Sequence, residues 1–314
     1  MNREITAFAP ASVSNVASGF DIMGFALEQP GDTVTARFAK TAGVHITSIK
    51  GSTSSLPTDP ALNTAAAPVA ALLIRSGSRL GVEIEISKGV PVGGGIGSSA
   101  ASAVAAAVAC NELFELHLSK EELLPFAIEG EKIASDAVHV DNLSPSLWGG
   151  FVLVRGYAPI DVVQIRAPRD LWCSVVHPHI EIQTKASRKI LPASVPLKDL
   201  VTQTGNAAGL IAGLLMNDYA LIGRSLHDVV AEPARKHLIP GFAEMKAAAV
   251  GAGALGCSIS GSGPSVFALS TAKETALLVG KAMGKILESI DCSHTVFVSG
   301  ISTTGAKIIS CKET

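Results

Sequence analysis

Apolar and polar residues alternate with a period of two at residues 4–8, 33–38, 44–50 and 82–88, which predicts four strands that each turn one face to a core. Alanine-rich runs at 63–76 and 100–110 predict helices. A third helix is predicted at 119–135, where Ser119 is a good N-cap and Glu121 and Glu122 fall in the first turn. Further strands are predicted at 149–154, 162–166 and 171–176, with Pro159 and Pro168 as punctuation. Beyond them, helical runs cover 197–216, 219–230, 241–249 and 272–289, and strand-like runs cover 257–260, 265–269 and 295–299. Strands and helices mix without regular βα alternation, so an α+β fold is expected rather than a doubly wound sheet. The proline-punctuated region predicts a boundary between a domain at 1–160 and another at 161–314.

Composition narrows the function classes. Apolar residues make up 47% of the 314-residue chain but aromatics only 4%, so the core is built from Ala, Val, Leu and Ile. A net charge of -2 with scattered basic residues argues against a nucleic-acid binder. Cys110, Cys173, Cys257, Cys292 and Cys311 are far apart, and neither Cys-x-x-Cys nor His-Glu-x-x-His occurs. Free thiols in a reducing compartment follow. The N-terminus lacks the apolar stretch of a signal peptide, and no apolar run reaches membrane-spanning length. A soluble, cytoplasmic protein with no membrane partner is expected.

The stretch Pro91-Val92-Gly93-Gly94-Gly95-Ile96-Gly97-Ser98-Ser99-Ala100-Ala101 lies between a predicted strand and a predicted helix. Glycines let a backbone approach an anion, and the first-turn N–H groups of a helix point at it. A plain loop with a serine N-cap is the competing reading. Spacing excludes three other motifs. No Lys follows Gly97, as a Walker loop requires. Gly93-x-Gly95-x-x-Ser98 fits a dinucleotide fingerprint poorly. Neither Gly97-Ser98-Ser99-Ala100-Ala101 nor Gly261-Ser262-Gly263-Pro264-Ser265 is a nucleophile elbow.

Four more stretches concentrate polar residues among small ones. In the segment from Pro10 to Asp21, Asn15 and Asp21 suit an ammonium ligand, or form an Asx-turn with a solvated Asp. Glu131 falls late on a predicted helix, with His139, Asp141 and Asn142 on the loop after it. A carboxylate there suits Mg²⁺, or is a solvated face residue. Arg188, near Thr184, and Arg235 have forks that recognise carboxylates and phosphates. Gly256 to Pro264, with Ser260, Gly261, Ser262 and Gly263, closes over a phosphate, packs beneath the first loop, or is only a hairpin.

Taken in order, these five stretches resemble the GHMP kinase superfamily. The glycine loop is similar to its second motif, Pro-x-x-x-Gly-Leu-Gly-Ser-Ser-Ala, with Ile96 in place of Leu. Gly256 to Pro264 is similar to its third. Within the superfamily the homoserine kinase family is most similar, through Pro10-Ala11-Ser12, Asn15 and Gly19-Phe20-Asp21, and through His139, Asp141, Asn142, Pro145, Gly149 and Gly150. Ala17 and Ser18 depart from its usual Gly-Pro. The resemblance runs from Pro10 to Pro264.

The resemblance implies a two-domain fold: an N-terminal domain like domain 2 of ribosomal protein S5 and a C-terminal ferredoxin-like α/β sandwich. It implies transfer of the γ-phosphoryl group of ATP to the side-chain hydroxyl of L-homoserine, a step of threonine biosynthesis, with Mg²⁺. By it, Ser99 and Glu131 hold the metal while residues 91–101 and 260–263 form the ATP site, with Asn63 on adenine. Ser98 reads as loop and cap. Asn15, Asp21, His139 and Asp141 take the ammonium and hydroxyl end, and Arg188 and Arg235 clamp the carboxylate. Asp141 and Asn142 stand at the reacting hydroxyl, Asp141 as base or as orienting group. A homodimer is implied. Two alternatives stay open: another small-molecule kinase of the superfamily, acting on mevalonate, shikimate or a sugar, and a non-catalytic nucleotide or amino-acid sensor.

Overall fold

The computed structural model describes residues 3–51, 56–134, 138–166 and 168–313. Two long strands, β1 (Arg3–Ser14) and β2 (Met23–Ala39), pair antiparallel, with a register shift between Pro10 and Ser12. After β3 (Val44–Lys50), helix α1 (Ala66–Ser76) carries the chain over to β4 (Gly81–Ser87), which lies parallel to β3. A parallel pair needs such a crossover. The glycine loop leads into α2 (Ser98–Leu113), followed by α3 (Lys120–Ala134) and α4 (Val140–Trp148). Strands β5 (Phe151–Tyr157) and β6 (Ile160–Ile165) complete that half.

The second half opens with β7 (Trp172–Pro178). Helices α5 (Thr184–Lys189), α6 (Leu197–Met216), α7 (Tyr219–Ser225), α8 (Ala231–Arg235) and α9 (Phe242–Gly251) follow. Hairpin β8 (Gly256–Ile259) and β9 (Val266–Ser270), helix α10 (Lys273–Glu288), β10 (His294–Gly300) and β11 (Lys307–Glu313) end the chain. The first sheet has the order β11-β1-β2-β4-β3, with β5 and β6 branching from the start of β2, and the second has the order β10-β7-β9-β8. Sheet membership changes between Ile165 and Trp172, and β11 returns to the first sheet. The mixture of layers is α+β, as expected.

Helix α2 runs through the centre of the first half. Its run of alanines is buried on nearly every side, so neighbouring backbones can approach it closely. The two halves share a core: Phe25 on β2 lies 4.7 Å from Phe151 and 5.8 Å from Phe267, ring centre to ring centre.

Several local expectations are corrected. Residues 10–14 belong to β1 itself rather than following the strand predicted at 4–8. Asp141 and Asn142 lie in the first turn of α4, with His139 at the position before it, not on a loop. Pro145 hid that helix in the sequence because proline removes a backbone donor. The carbonyl it leaves, that of Asp141, is approached so closely by Gly24 that a Cβ on Gly24 would lie 1.9 Å from its oxygen. The helix expected at 219–230 stops at Ser225, because the Asp228 carboxylate accepts from the N–H groups of Val230, Ala231 and Glu232 and starts α8. Strand β11 was not visible in the sequence, since the strand it pairs with, β1, lies at the other end of the chain. Position 135, the expected end of α3, lies outside the described residues.

Candidate active site

The glycine loop, the start of α2, the end of α3, the start of α4 and the β8–β9 turn converge on one cleft of about 310 Å³. The loop can take this shape only with glycine at its bends. Gly95 has φ of +73°, and a Cβ there would lie 2.5 Å from the carbonyl oxygen of Gly263. Gly97 has φ of +70°, and a Cβ there would lie 2.2 Å from Ser12 Oγ. Among the described residues none accepts a hydrogen bond from the backbone N–H groups of Gly95 to Ala100; the first internal bond is from Ala101 to the Gly97 carbonyl. These N–H groups sit at the positive end of a buried helix, which is the environment an anion needs.

Gly97, not a serine, occupies the cap position of α2, so the expected serine cap is replaced. Ser98 Oγ donates back to the Val90 carbonyl at 3.0 Å and closes the loop. Ser99 points across the cleft: its Oγ lies 3.2 Å from Glu131 Oε2. Glu131 is buried and also pairs with His139 Nδ1 at 3.1 Å. Burial lowers the pKa of His139, but the hydrogen bond and charge of Glu131, with Asp141 and Asp21, outweigh it and the net shift is upward. A hydroxyl and a carboxylate oxygen side by side form a hard donor pair that fits Mg²⁺. Among the described residues no group of three or more His, Cys, Asp or Glu could hold a metal alone.

The other loop residues divide by position. Val92, Gly93, Gly94, Gly95, Gly97, Ser98 and Ser99 line the cleft, as do Gly261 and Ser262. The side chains of Ile96, Ala100 and Ala101 face the core. Ser260 supports the loop from behind, its Oγ donating to the Gly95 carbonyl at 2.8 Å. Pro91 and Gly263 flank the cleft without lining it. Asn63 lines its apolar end beside Leu56, Pro57 and Leu62, with its amide bonded to the Pro57 carbonyl and the Ala65 N–H.

At the opposite end Asn15 is the organiser. Its Nδ2 donates to the Gly261 carbonyl at 2.9 Å, its Oδ1 accepts from Asp21 N–H at 2.7 Å, and its own N–H donates to Asp141 Oδ2 at 3.3 Å. Asp141 is buried, and its Oδ1 has no hydrogen-bond partner among the described residues. Burial first, and then the Asp21 charge against the opposing pull of His139, push its pKa up to about 6. Asn142 is pinned between Ser12 Oγ at 3.0 Å and Ser14 Oγ at 2.9 Å, next to Gly97. Arg188 is ion-paired with Asp21. Arg235 is buried, donating to the carbonyls of Ser187 and Gly261 at 3.2 Å each, with its guanidinium 5.2 Å from the Phe20 ring centre.

Sequence reasoning missed Lys88, Asp32 and Ser102. Lys88 and Ser102 line the cleft beneath the loop, and Asp32 lies behind them. A lone Lys at a strand end gives no signal, and its Asp partner is on a different strand.

Residues 63–150 match the family profile described as GHMP kinases N terminal domain, and residues 208–288 match GHMP kinases C terminal. A curated homoserine kinase of Chlorobium phaeobacteroides is 47% identical over 98% of this chain and 100% of its own length. The chain belongs to the homoserine kinase family of the GHMP kinases. The homoserine kinase of Chlorobaculum tepidum is 48% identical over 98% of this chain and 99% of its own. The crystal structure of homoserine kinase from Cytophaga hutchinsonii superposes with a TM-score of 0.94 at 51% identity, covering 98% of this chain and 97% of that one. A mevalonate kinase from L. major, at 16% identity and a TM-score of 0.70, covering 95% of this chain and 96% of that one, shares the fold. Both superfamily domains are therefore present.

Proposed function

We propose that this chain transfers the γ-phosphoryl group of ATP to the side-chain hydroxyl of L-homoserine, forming O-phospho-L-homoserine. The observation that carries the reading is the joining of two unlike half-sites in one cleft. One is an anion cradle of N–H groups, unbonded among the described residues, beside the Ser99–Glu131 oxygen pair. The other holds an Asp and two Arg side chains within reach of an α-amino acid.

In this reading adenine lies at the apolar end beside Asn63, and the phosphates lie along Gly93 to Ser99. Ser99 and Glu131 would hold Mg²⁺, which would supply charge neutralisation at the phosphates. Arg188 and Arg235 bind the substrate carboxylate, and Asp21 and Asn15 bind its ammonium group. Asp141 lies buried just behind the cleft lining, and its Oδ1, without a hydrogen-bond partner among the described residues, accepts the hydrogen of the reacting hydroxyl, while Asn142 fixes that hydroxyl beside Gly97. Phosphoryl transfer passes through a loose transition state, so positioning and charge neutralisation contribute most of the acceleration. Asp141 orients the hydroxyl and takes its proton late in the transfer.

The reading includes a homodimer, for which the exposed apolar side of α6, with Leu197, Val201 and Leu215, is available. It also places the protein in the cytoplasm, a compartment that suits five unpaired cysteines. No helix among the described residues is long and apolar enough to cross a membrane.

A panel of L-homoserine, mevalonate, shikimate and sugars, read by coupled ADP detection, tests the reading. Turnover of homoserine alone is expected. Turnover of mevalonate without homoserine overturns it, and ATP binding without turnover of any hydroxyl substrate points to a sensor.

A further inference from the structure

Behind the glycine loop lies a buried charged cluster whose hydrogen bonds and ion pair, among the described residues, all run to the two ends of that loop. Asp32, on β2, is fully buried. Its Oδ1 accepts from the backbone N–H groups of Gly89 and Val90, both at 3.0 Å. Its Oδ2 accepts from Ser102 Oγ at 2.7 Å and forms an ion pair with Lys88. Lys88 Nζ also donates to the Ser98 carbonyl at 3.0 Å and to Ser102 Oγ at 2.8 Å. Ser98 Oγ completes the ring on the Val90 carbonyl. Every bond in this set joins β2, the chain entering the loop at residues 88–90, or the chain leaving it at residues 98–102. Burial pulls the Lys88 pKa down, and the charge of Asp32 opposes the shift.

We infer that Asp32 is a positioning residue for nucleotide binding: it clasps the two feet of the glycine loop and holds the loop N–H groups in register for the phosphates. The inference rests on the ATP reading of the cleft. Three physical facts support it. A buried carboxylate is costly unless fully bonded, and here both oxygens are bonded twice. Four of the groups it organises, Lys88, Gly89, Val90 and Ser102, come from both sides of one loop. The loop N–H groups from Gly95 to Ala100 bond to no described residue; the middle of the loop is held through its carbonyls, by Ser265 N–H on Gly94, Ser260 Oγ on Gly95 and Ser12 N–H on Ile96, and its two ends are held by the Asp32 cluster. A cradle of fixed dipoles gains affinity by being organised before the ligand arrives.

The test uses the full-length protein and a non-hydrolysable ATP analogue with Mg²⁺, titrated by calorimetry, beside the KM for homoserine. Asp32→Asn keeps the shape and removes the charge. Its dissociation constant for the analogue is expected to rise about tenfold or more, while the KM for homoserine stays within about twofold. Amide exchange across residues 89–98 is expected to accelerate selectively. Should Asp32→Asn fail to fold, Ser102→Ala decides. It keeps the ion pair and is expected to weaken the analogue about threefold, again without moving the homoserine KM. A variant that melts earlier yet binds the analogue like the unsubstituted protein overturns the inference and leaves the ATP reading standing. Failure of the unsubstituted protein to bind the analogue overturns the ATP reading itself.

Discussion

Arg188 closes on Asp21 across the substrate end of the cleft, with its Nη1 3.4 Å from Oδ1 and its Nη2 hydrogen-bonded to Oδ2. The Arg188 side chain is 43% exposed and that of Asp21 25%, so the pair adds little stability in water. A zwitterionic amino acid can exchange this one ion pair for two, carboxylate on Arg188 and ammonium on Asp21. Arg188→Met and Asp21→Asn are each expected to raise the KM for homoserine roughly 30- to 100-fold and leave that for ATP within about threefold. Steady-state kinetics with each substrate varied in turn checks the split, and the melting temperature should barely move.

Asp141 predicts a pH signature. Its pKa is raised from 3.8 to about 6, so the folded protein binds this proton more tightly than the unfolded chain. The stability it contributes is fully present below the unfolded value and is lost as pH rises through about 6. Asp141→Asn, which cannot ionise, is therefore expected to gain about 1–3 kcal/mol over the unsubstituted protein at neutral pH, with the gain vanishing toward the unfolded pKa. Thermal melts across pH measure this directly. In kcat/KM, which reports on the free enzyme, an acid limb centred near pH 6 is expected. The variant should lose that limb and about 100-fold in kcat. A limb that persists in Asp141→Asn belongs to another group.

The two loop serines should respond differently. Ser99→Ala removes one member of the oxygen pair with Glu131, so the Mg²⁺ concentration at half-maximal rate is expected to rise about tenfold or more. Ser98→Ala removes the bond to the Val90 carbonyl and should cost about 1 kcal/mol of stability with little change in Mg²⁺ dependence. Titrating Mg²⁺ at fixed ATP separates them; the reverse order places the metal on the wrong hydroxyl.

Much of this arrangement was legible in the sequence because its parts are local. The glycine loop declares itself within eleven residues, and the strand before it and helix after it follow from spacing. The residues that frame the loop were not legible. Asp32 and Lys88 meet only because β2 and β4 pair, and Asp141 reads as a loop residue because Pro145 masks its helix. The sequence also suggested that Ser98 caps α2. The backbone instead enters the helix through Gly97 in a left-handed conformation, which frees Ser98 to bond backward.

Gly97 itself gives a backbone test. Alanine there meets both the positive φ and Ser12 Oγ at 2.2 Å, so Gly97→Ala must shift the loop away from β1. Expected are a stability loss of about 1–3 kcal/mol and a larger rise in the KM for ATP than in that for homoserine. Equal effects on both substrates would mean that the loop serves the whole cleft and not the nucleotide half.

The most direct measurement is ³¹P NMR of the purified protein with ATP, Mg²⁺ and L-homoserine. The account predicts a new phosphomonoester resonance that grows as ADP accumulates in equal amount, and that is absent without homoserine. ADP and inorganic phosphate without the monoester, or a monoester formed from mevalonate and not from homoserine, would contradict it.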